Sequence, residues 1–406
     1  MSVPKLRFKD ENGQILSDWR EETLLNLSIS GFSNGVFNDP TKVGRGYKLI
    51  NVLDMYIEST INENKLTLVE LSEDELNRNK VEYGDVFFTR SSLVKEGIAH
   101  SNIYLSNSKD VTFDGHLIKM SPKKDLLNPI FFYYLLKTSQ VRKQLVKRGK
   151  TTTMTTIGQA DIATVKVAFP EVNEQTKIAD FLMAVDEKIA QLTQKCKLLA
   201  RYKKGVMQQI FSQEFRFKDD DGSDFPEWET YKLKDIVNIN PKSTKLPDSF
   251  IYIDLESVKD GCLLFENRIE LETAPSRAQR LLQKNDILYQ TVRPYQRNNL
   301  LFDKSGNYVA STGYSQIRTD QDTKFIFQLL YSDDFVNDVL ARCTGTSYPA
   351  IDSTSLSEIQ VNIPDIPEQT KIANFLTSLD EKITEAQTYL DTVKQYKQGL
   401  LQQMFV

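Results

Sequence analysis

The chain has 406 residues, which is long enough for two or three domains because single hydrophobic cores rarely grow beyond about 250 to 300 residues. With 40% hydrophobic and 26% charged residues, no long apolar run and no signal-peptide pattern, it is expected to be a cytoplasmic protein without a membrane span. Three widely spaced cysteines and two histidines argue against a disulfide framework or a structural zinc site.

The net charge of −4 conceals two basic stretches. Residues 137–150 contain six basic residues and no acidic one, and residues 277–299 contain five basic residues and a single acidic one. Local stretches of this kind attract phosphate within a Debye length of roughly 10 Å, whatever the total charge. A solvated face would have the same composition, so these stretches alone do not decide whether the chain binds nucleic acid.

The chain opens with a block that it repeats in its second half. Residues 7–19, "RFKDENGQILSDW", match residues 216–228, "RFKDDDGSDFPEW", in Arg, Phe, Lys, Asp, Gly and Trp. A closing block is repeated more closely, since residues 174–211 align without a gap with residues 368–405 and share 18 of 38 residues. The sequence is therefore a tandem duplication in which the ends remained similar while the middles diverged.

The divergent middles predict mixed secondary structure. The stretches "DVFFTR" (85–90) and "DILYQTVR" (286–293) are typical of strands, whereas "NPIFFYYLLK" (128–137) and "TKFIFQLLYS" (323–332) are typical of helices. The predicted fold class is therefore α+β.

Polar loops follow both predicted strands, and further loops at 147–158 and 341–352 precede the closing blocks. Arg, Gln and Asn can bond bidentately to base edges, and Arg, Lys, Ser and Thr suit phosphate contacts. A polar turn without a ligand would look similar. The residues that we predict to contact DNA are Arg90, Ser91, Ser92, Lys95, Lys147, Arg148, Lys150, Thr152, Arg277, Arg280, Arg293, Tyr295, Gln296, Arg297, Asn298, Arg342, Thr346 and Tyr348.

Each closing block predicts one long helix with a coiled-coil seam. Apolar residues recur in alternating steps of four and three, interrupted only by Lys203 in the first block and Lys397 in the second. At 1.5 Å per residue each helix would span roughly 50 Å. The simplest way to bury both seams is antiparallel pairing of the two helices, although an amphipathic helix lying on its own domain would also give an apolar stripe.

Two apparent catalytic motifs do not hold. "NPIF" (128–131) lacks the second proline of the Asn-Pro-Pro-aromatic motif of adenine methyltransferases, and Asn128-Pro129 is a good helix start. Pro364-Asp365 with Asp380 and Lys382 resembles a nuclease signature, but the last two residues point to different faces of a helix. No catalytic constellation or phosphate-binding loop is apparent.

The paired "EQTKIADFL…DEKI" and "EQTKIANFL…DEKI" blocks and the two "RFKD…G…W" openings resemble those of specificity (S) subunits of type I restriction-modification systems. The resemblance implies a non-catalytic chain in which each middle reads half of an asymmetric bipartite DNA site and the helices set the spacer. It also implies two methyltransferase (M) subunits docked on the repeated regions, with restriction (R) subunits joining them. S-adenosylmethionine, ATP and magnesium would bind those partners, so we expect no cofactor and no metal in this chain.

The resulting domain organisation has two target-recognition domains in a tandem, pseudo-twofold arrangement separated by two antiparallel helices. The predicted bounds are 1–172 and 213–366 for the recognition domains and 173–212 and 367–406 for the helices. We expect the repeated phrase itself to be scaffold and one docking surface presented twice. The alternatives are a structural or adaptor protein, whose helices bind protein partners and whose domains bind something other than DNA, and a solitary nuclease.

Overall fold

The computed structural model describes residues 4–9, 13, 18–37, 39–57, 59–243 and 245–406, and it divides the chain into two compact units. The first unit comprises residues 1–192 and 389–406, and the second comprises residues 193–388. Part of the first opening block, residues 10–12 and 14–17, lies outside the described residues. Within the described part of the chain, no helix is both long enough and apolar enough to cross a membrane.

The first unit alternates short strands and helices before one long helix. Its elements are β1 (Arg20–Thr23), α1 (Leu24–Leu27), β2 (Ser28–Asn34), β3 (Val43–Ile50), β4 (Thr67–Val69), α2 (Glu73–Arg78), β5 (Val86–Thr89), β6 (Ser91–Ser92), β7 (Ser101–Ile103), β8 (Val111–Phe113), β9 (Leu117–Pro122), α3 (Pro129–Lys137), α4 (Ser139–Arg148), β10 (Lys150–Thr151), β11 (Thr155–Thr156), α5 (Gln159–Ala163), β12 (Lys166–Phe169) and α6 (Val172–Phe211), the last of which continues into the second unit.

The second unit follows the same plan. Its elements are β13 (Glu229–Lys232), α7 (Leu233–Ile236), β14 (Val237–Ile239), β15 (Ser249–Ile253), β16 (Val258–Lys259), β17 (Cys262–Leu263), β18 (Asn267–Glu270), β19 (Ala278–Leu281), β20 (Ile287–Gln290), β21 (Leu300–Leu301), β22 (Tyr308–Ser311), β23 (Tyr314–Thr319), α8 (Thr323–Leu329), α9 (Asp333–Ala341), α10 (Ser353–Ser357), β24 (Gln360–Ile363) and α11 (Ile366–Met404), whose last part belongs to the first unit.

The sheets of the two units correspond although their sequences diverge. The first unit has an antiparallel sheet in the order β2-β9-β5-β7 and a second sheet, β4-β3-β8, in which β3 and β8 run parallel. The second unit repeats this with β14-β23-β20-β21 and with β18-β15-β22-β19, in which β15 and β22 run parallel. A two-stranded ladder, β1-β12 or β13-β24, ties the start of each unit to the strand before its long helix. The α+β prediction is confirmed.

The four elements predicted in the middles are also present. The predicted strands are β5 and β20, and the predicted helices are α3 and α8. Helix α3 begins where the sequence indicates, because the Asn128 side chain accepts hydrogen bonds from the N–H groups of Ile130 and Phe131 and Pro129 occupies the first turn.

The seams of the two long helices are buried within each unit. In the first unit, Ile178 and Leu182 of α6 share a core with Leu400 and Met404 of α11. In the second unit, Ile210 of α6 shares a core with residues at the start of α11. Because the beginning of each helix meets the end of the other, the pairing is antiparallel. The same cores include α3 or α8, so the ends of the helices also lie on their own domains.

The lysines that interrupt both seams form ion pairs across the helix pair. Lys203 Nζ lies 2.6 Å from Asp380 in the second unit, and Lys397 pairs with Asp186 in the first. Each aspartate also accepts a hydrogen bond from the recognition domain, from the Tyr134 hydroxyl at 2.6 Å or from Gln328 Nε2 at 2.8 Å. Each pair thus joins three helices, and a polar contact of this kind disfavours other helix registers.

The opening block of each unit is fastened to its closing block by a buried carboxylate. Glu174 is fully buried and binds Arg7 through two hydrogen bonds of 2.7 and 3.1 Å. Glu368 is fully buried and binds Arg216 at 2.8 Å and the indole N–H of Trp228 at 3.1 Å. The hydrogen bond to the carboxylate raises the pKa of each arginine. The Arg of one block and the Glu of the other are therefore repeated as partners, whereas the indole bond belongs to the second unit, because the buried Nε1 of Trp19 has no hydrogen-bond partner among the described residues.

The remainder of the repeated phrase also serves internal contacts. Gln175 is fully buried, and its side-chain oxygen accepts the N–H of Asn128 at 2.8 Å while its amide donates to two backbone carbonyls. Gln369 makes the corresponding bond with the N–H of Asp322 at 3.1 Å. The prediction that the phrase is a docking surface is therefore wrong for its Glu and Gln, because neither side chain is accessible to a partner.

Removing Arg216 should destabilise the second unit far more than removing a surface lysine of the same block. Arg216→Ala leaves the carboxylate of Glu368 buried without its cation, which costs about 3 to 5 kcal/mol of unfolding free energy. Lys218→Ala is the matched control, because Lys218 and Asp224 are 63% and 83% exposed and such pairs contribute less than about 1 kcal/mol. Denaturant-dependent hydrogen exchange of second-unit amides measures both losses of unfolding free energy. Equal losses would contradict a stabilising role for the Arg216–Glu368 contact.

Candidate nucleic-acid interface

The structure brings the two predicted recognition loops of the first unit together. Strand β5 leads through Arg90 into β6, which pairs with β11 of the later loop, and β11 pairs in turn with β10. The N–H of Ile157 donates to the carbonyl of Arg90 at 3.0 Å. Residues predicted from two stretches about sixty positions apart thus lie on one small three-stranded sheet.

The second unit joins its two loops in the same register. Val292 pairs with Ala350, and Ala350 pairs with Thr344, just as Ser91 pairs with Thr156 and Thr156 with Lys150. Thr344 and Ala350 follow Lys150 and Thr156 by the 194 residues that separate the closing blocks. The duplication therefore extends into these loops. The two units share the backbone pairing, which we call the loop frame, but carry different side chains on it.

Several predicted residues present their side chains to solvent. In the first unit, Arg90, Lys95 and Lys147 are exposed, and Lys150 is exposed despite a contact of 3.4 Å with Asp161. Ser91 and Ser92 are half-buried in β6, and Thr152 is exposed in the turn between β10 and β11. The exposed predicted residues of the second unit are Arg277, Tyr295, Gln296, Arg342, Thr346 and Tyr348.

Other predicted residues are engaged within the protein. Arg148 donates to the hydroxyl and carbonyl of Thr164 and to the carbonyl of Gln144. Arg342 pairs with Asp338 one turn earlier on α9, at 3.0 Å. These contacts position the loop backbones and leave fewer donors for a nucleic acid.

Arg297 of the second unit is also held by hydrogen bonds, whereas the buried Nε of Arg280 has no hydrogen-bond partner in the part of the chain that the structure describes. Arg297 binds Asp333 at 2.7 Å and the carbonyl of Tyr331 at 2.9 Å. Arg280 is half-buried, and burial lowers its pKa. The Asn298 side chain accepts the N–H of Asp260, between β16 and β17, at 3.2 Å, and the N–H of Asn298 donates to the Gln290 side chain at 3.1 Å.

Arg293 and Tyr348, predicted from separate loops, meet directly. The guanidinium of Arg293 lies 4.3 Å from the centre of the Tyr348 ring, and the two loops are joined at this point by a hydrogen bond of 2.7 Å from the N–H of Arg293 to the carbonyl of Pro349. Arg293 has a φ of 54°, in the left-handed region that costs a non-glycine residue of order 1 to 3 kcal/mol. The loop therefore holds this arginine in a defined, stacked orientation.

The residues that hold this loop were not predicted. Gln290 is buried, and its side chain donates to Gln296 at 3.0 Å and accepts the N–H of Asn298 at 3.1 Å. The buried Asn299 accepts the N–H of Gln290 at 2.8 Å. The position of Gln290 at the end of the apolar strand β20 was the sequence signal that could have indicated its supporting role. The prediction of exposed donors did not distinguish residues that support the loop from residues that face outward.

Three exposed apolar residues of the first unit were also missed, because only polar side chains were considered. Leu93 is 87% exposed and Val94 is 62% exposed in the turn after β6, and Met154 is 41% exposed between β10 and β11. Within the described residues, no group of three or more His, Cys, Asp or Glu side chains could hold a metal ion.

Comparison with known proteins agrees with this organisation. A family model described as type I restriction modification DNA specificity domain matches residues 41–200 and 226–395. The type I restriction enzyme MjaVIII specificity subunit of Methanocaldococcus jannaschii is 24% identical over 309 residues, covering 70% of this chain and 71% of that protein. The EcoDI specificity subunit of Escherichia coli is 25% identical over 302 residues, covering 66% of this chain and 65% of that protein.

Among solved structures, the crystal structure of the type I restriction-modification system S subunit from M. genitalium matches with a TM-score of 0.59. It is 16% identical, and the match covers 100% of this chain and 99% of that one, so it supports the fold over the full length. The family match itself occurs twice, once in each half of the chain. The chain therefore belongs to the family of type I restriction-modification specificity subunits.

Proposed function

We propose that each unit of this specificity subunit reads one half of an asymmetric bipartite DNA site, and that the long helices set the spacer between the halves. The observation that carries the proposal is the shared loop frame. Both units join a strand-following loop to the loop before the long helix in the same register, yet they fill that frame with different side chains. A common backbone frame that carries different side chains suits two domains that recognise different DNA sequences.

The contacts fall into two chemical classes. The exposed lysines of the first unit and Arg277 of the second suit phosphate, which positions a protein on DNA without reading its sequence. Arg293 is stacked and oriented, and an arginine fork can bond bidentately to guanine in the major groove. In this proposal the lysines and Arg277 supply affinity, and Arg293 supplies base choice in the half-site of the second unit.

The chain would also scaffold two methyltransferase subunits, with restriction subunits joining that core in the cytoplasm. Gly205 and Gly399 support this, because each lies inside a long helix where glycine costs about 1 kcal/mol relative to alanine. No described atom within 4 Å would obstruct a side chain at either position. The repeated Tyr202 and Tyr396, three residues earlier, are 54% and 55% exposed. Contacts within the chain therefore do not explain why glycine is repeated at these two positions. A partner whose surface approaches the helix closely at both positions would explain it.

The chemistry of modification and cleavage would belong to those partners. S-adenosylmethionine would bind the methyltransferase subunits, and ATP and magnesium would serve the restriction subunits. This chain would determine the DNA sequence at which they act.

Replacing Arg293 by Ala should relax the base choice in one half-site only. A good bidentate pair contributes about 1 to 3 kcal/mol of discrimination, so the preferred base should lose roughly ten- to hundredfold selectivity. Mapping of methylated adenines in cells that express the chain with its methyltransferase partner measures this. Arg268→Ala, an exposed residue of β18 outside both loops, is the control and should leave the motif intact. An unchanged motif in Arg293→Ala would refute the loop assignment.

Replacing the two helical glycines by a larger residue should prevent binding of the methyltransferase without unfolding the chain. Gly205→Gln or Gly399→Gln alone should each reduce the bound methyltransferase from two copies to one, and the double variant should bind none, while helix stability stays equal or rises because glutamine is the better helix former. Native mass spectrometry of the purified complex counts the copies. Ala200→Gln, at an exposed position of α6, is the matched control. Two bound copies in the double variant would show that the partner docks elsewhere.

A further inference from the structure

The turn after β6 displays two adjacent aliphatic side chains to solvent. Leu93 and Val94 are 87% and 62% exposed, and Met154 of the neighbouring loop is 41% exposed. Single exposed apolar residues are common on protein surfaces, but these three lie on two loops that β6 and β11 join into one sheet. We call Leu93, Val94 and Met154 the aliphatic tip.

Hydrogen bonds hold the turn that carries Leu93 and Val94. The guanidinium of Arg142 on α4 donates to the carbonyls of Glu96, Ile98 and Ala99 at 2.6 to 2.8 Å, which fixes the turn from below. The N–H of Val94 also donates to the Ser92 hydroxyl at 3.3 Å. An apolar pair held in this way is preorganised for contact, since little further order is lost on binding.

The charges around the aliphatic tip favour a polyanion as the surface that covers it. Arg90 precedes β6, Lys95 follows Val94, and Lys147 and Lys150 flank the second loop, all of them exposed. The acidic groups beside these loops are Glu96 and Asp161 of α5, and Asp161 already lies 3.4 Å from Lys150. An apolar centre within a basic rim matches a DNA groove, where phosphates flank the base edges.

We propose that the aliphatic tip reads thymine by contact with its 5-methyl group in the major groove. The inference rests on the proposed function and specifies how the first unit chooses bases. The thymine methyl is the apolar group that the major groove offers, and aliphatic side chains recognise it by burial instead of hydrogen bonding. The second unit places Tyr348 where the first has Met154, with Arg293 stacked on it, so the two units read different base features.

The test uses the chain in complex with its methyltransferase partner and DNA duplexes that carry the mapped bipartite site. The half-site of the first unit is the one that Arg293→Ala leaves unchanged. Each thymine in it is replaced in turn by uracil, which keeps the base pair and removes only the methyl group. For at least one thymine, binding should weaken about fourfold, as expected for one buried methyl-sized group.

The variant Leu93→Asn with Val94→Thr should bind thymine and uracil duplexes equally and should be unchanged at the other half-site. Leu53→Asn is the matched control, because Leu53 is an 82% exposed leucine of the same unit that lies outside the two loops, and it should retain the preference for thymine.

Three results would count against the account. Equal binding of all uracil duplexes by the unmodified chain would overturn the inference and leave the proposed function standing. Loss of the methyltransferase from the Leu93→Asn, Val94→Thr variant would overturn it by showing a protein contact. Failure of the unmodified complex to select any bipartite site would overturn the proposed function itself.

Discussion

The architecture depends on a carboxylate buried at the first turn of each long helix. Glu174 and Glu368 are both fully buried, and each is neutralised by an arginine from the opening block of its own unit. A buried carboxylate without a cation is costly, so neither block can change its half of the contact alone. This constraint accounts for the repetition of the Arg in both opening blocks and of the Glu in both closing blocks. The repeated phrases contain one partner of an Arg–Glu contact that occurs once in each unit.

The same reasoning explains the lysines within the coiled-coil seams. An apolar residue at Lys203 or Lys397 would fit the heptads, but each lysine pairs with an aspartate that also binds the recognition domain. Helix pairing and domain orientation are therefore linked at one polar point in each unit. Repeated charged residues that contact each other inside a unit are part of the scaffold. Repeated residues that lack such a contact, such as the helical glycines, are the better indicators of a partner surface.

Much of the fold could be predicted from sequence, because its signals are local. Heptad spacing predicted the long helices, and Asn128-Pro129 predicted the start of α3. The pairing of the recognition loops could not be predicted, since it depends on contacts between distant segments such as β6 and β11. For the same reason the sequence did not distinguish Arg297, held by Asp333, from the exposed Arg90. The aliphatic tip was missed because exposure, and not residue type, makes it informative.

If the two units read DNA as proposed, one backbone frame with different side chains should give two half-sites of different sequence. Mapping of all methylated adenines in cells that express the unmodified chain with its methyltransferase partner decides this. We expect one motif with two specified blocks of different sequence, separated by an unspecified spacer of fixed length. A single continuous block, or two identical blocks, would contradict the proposal.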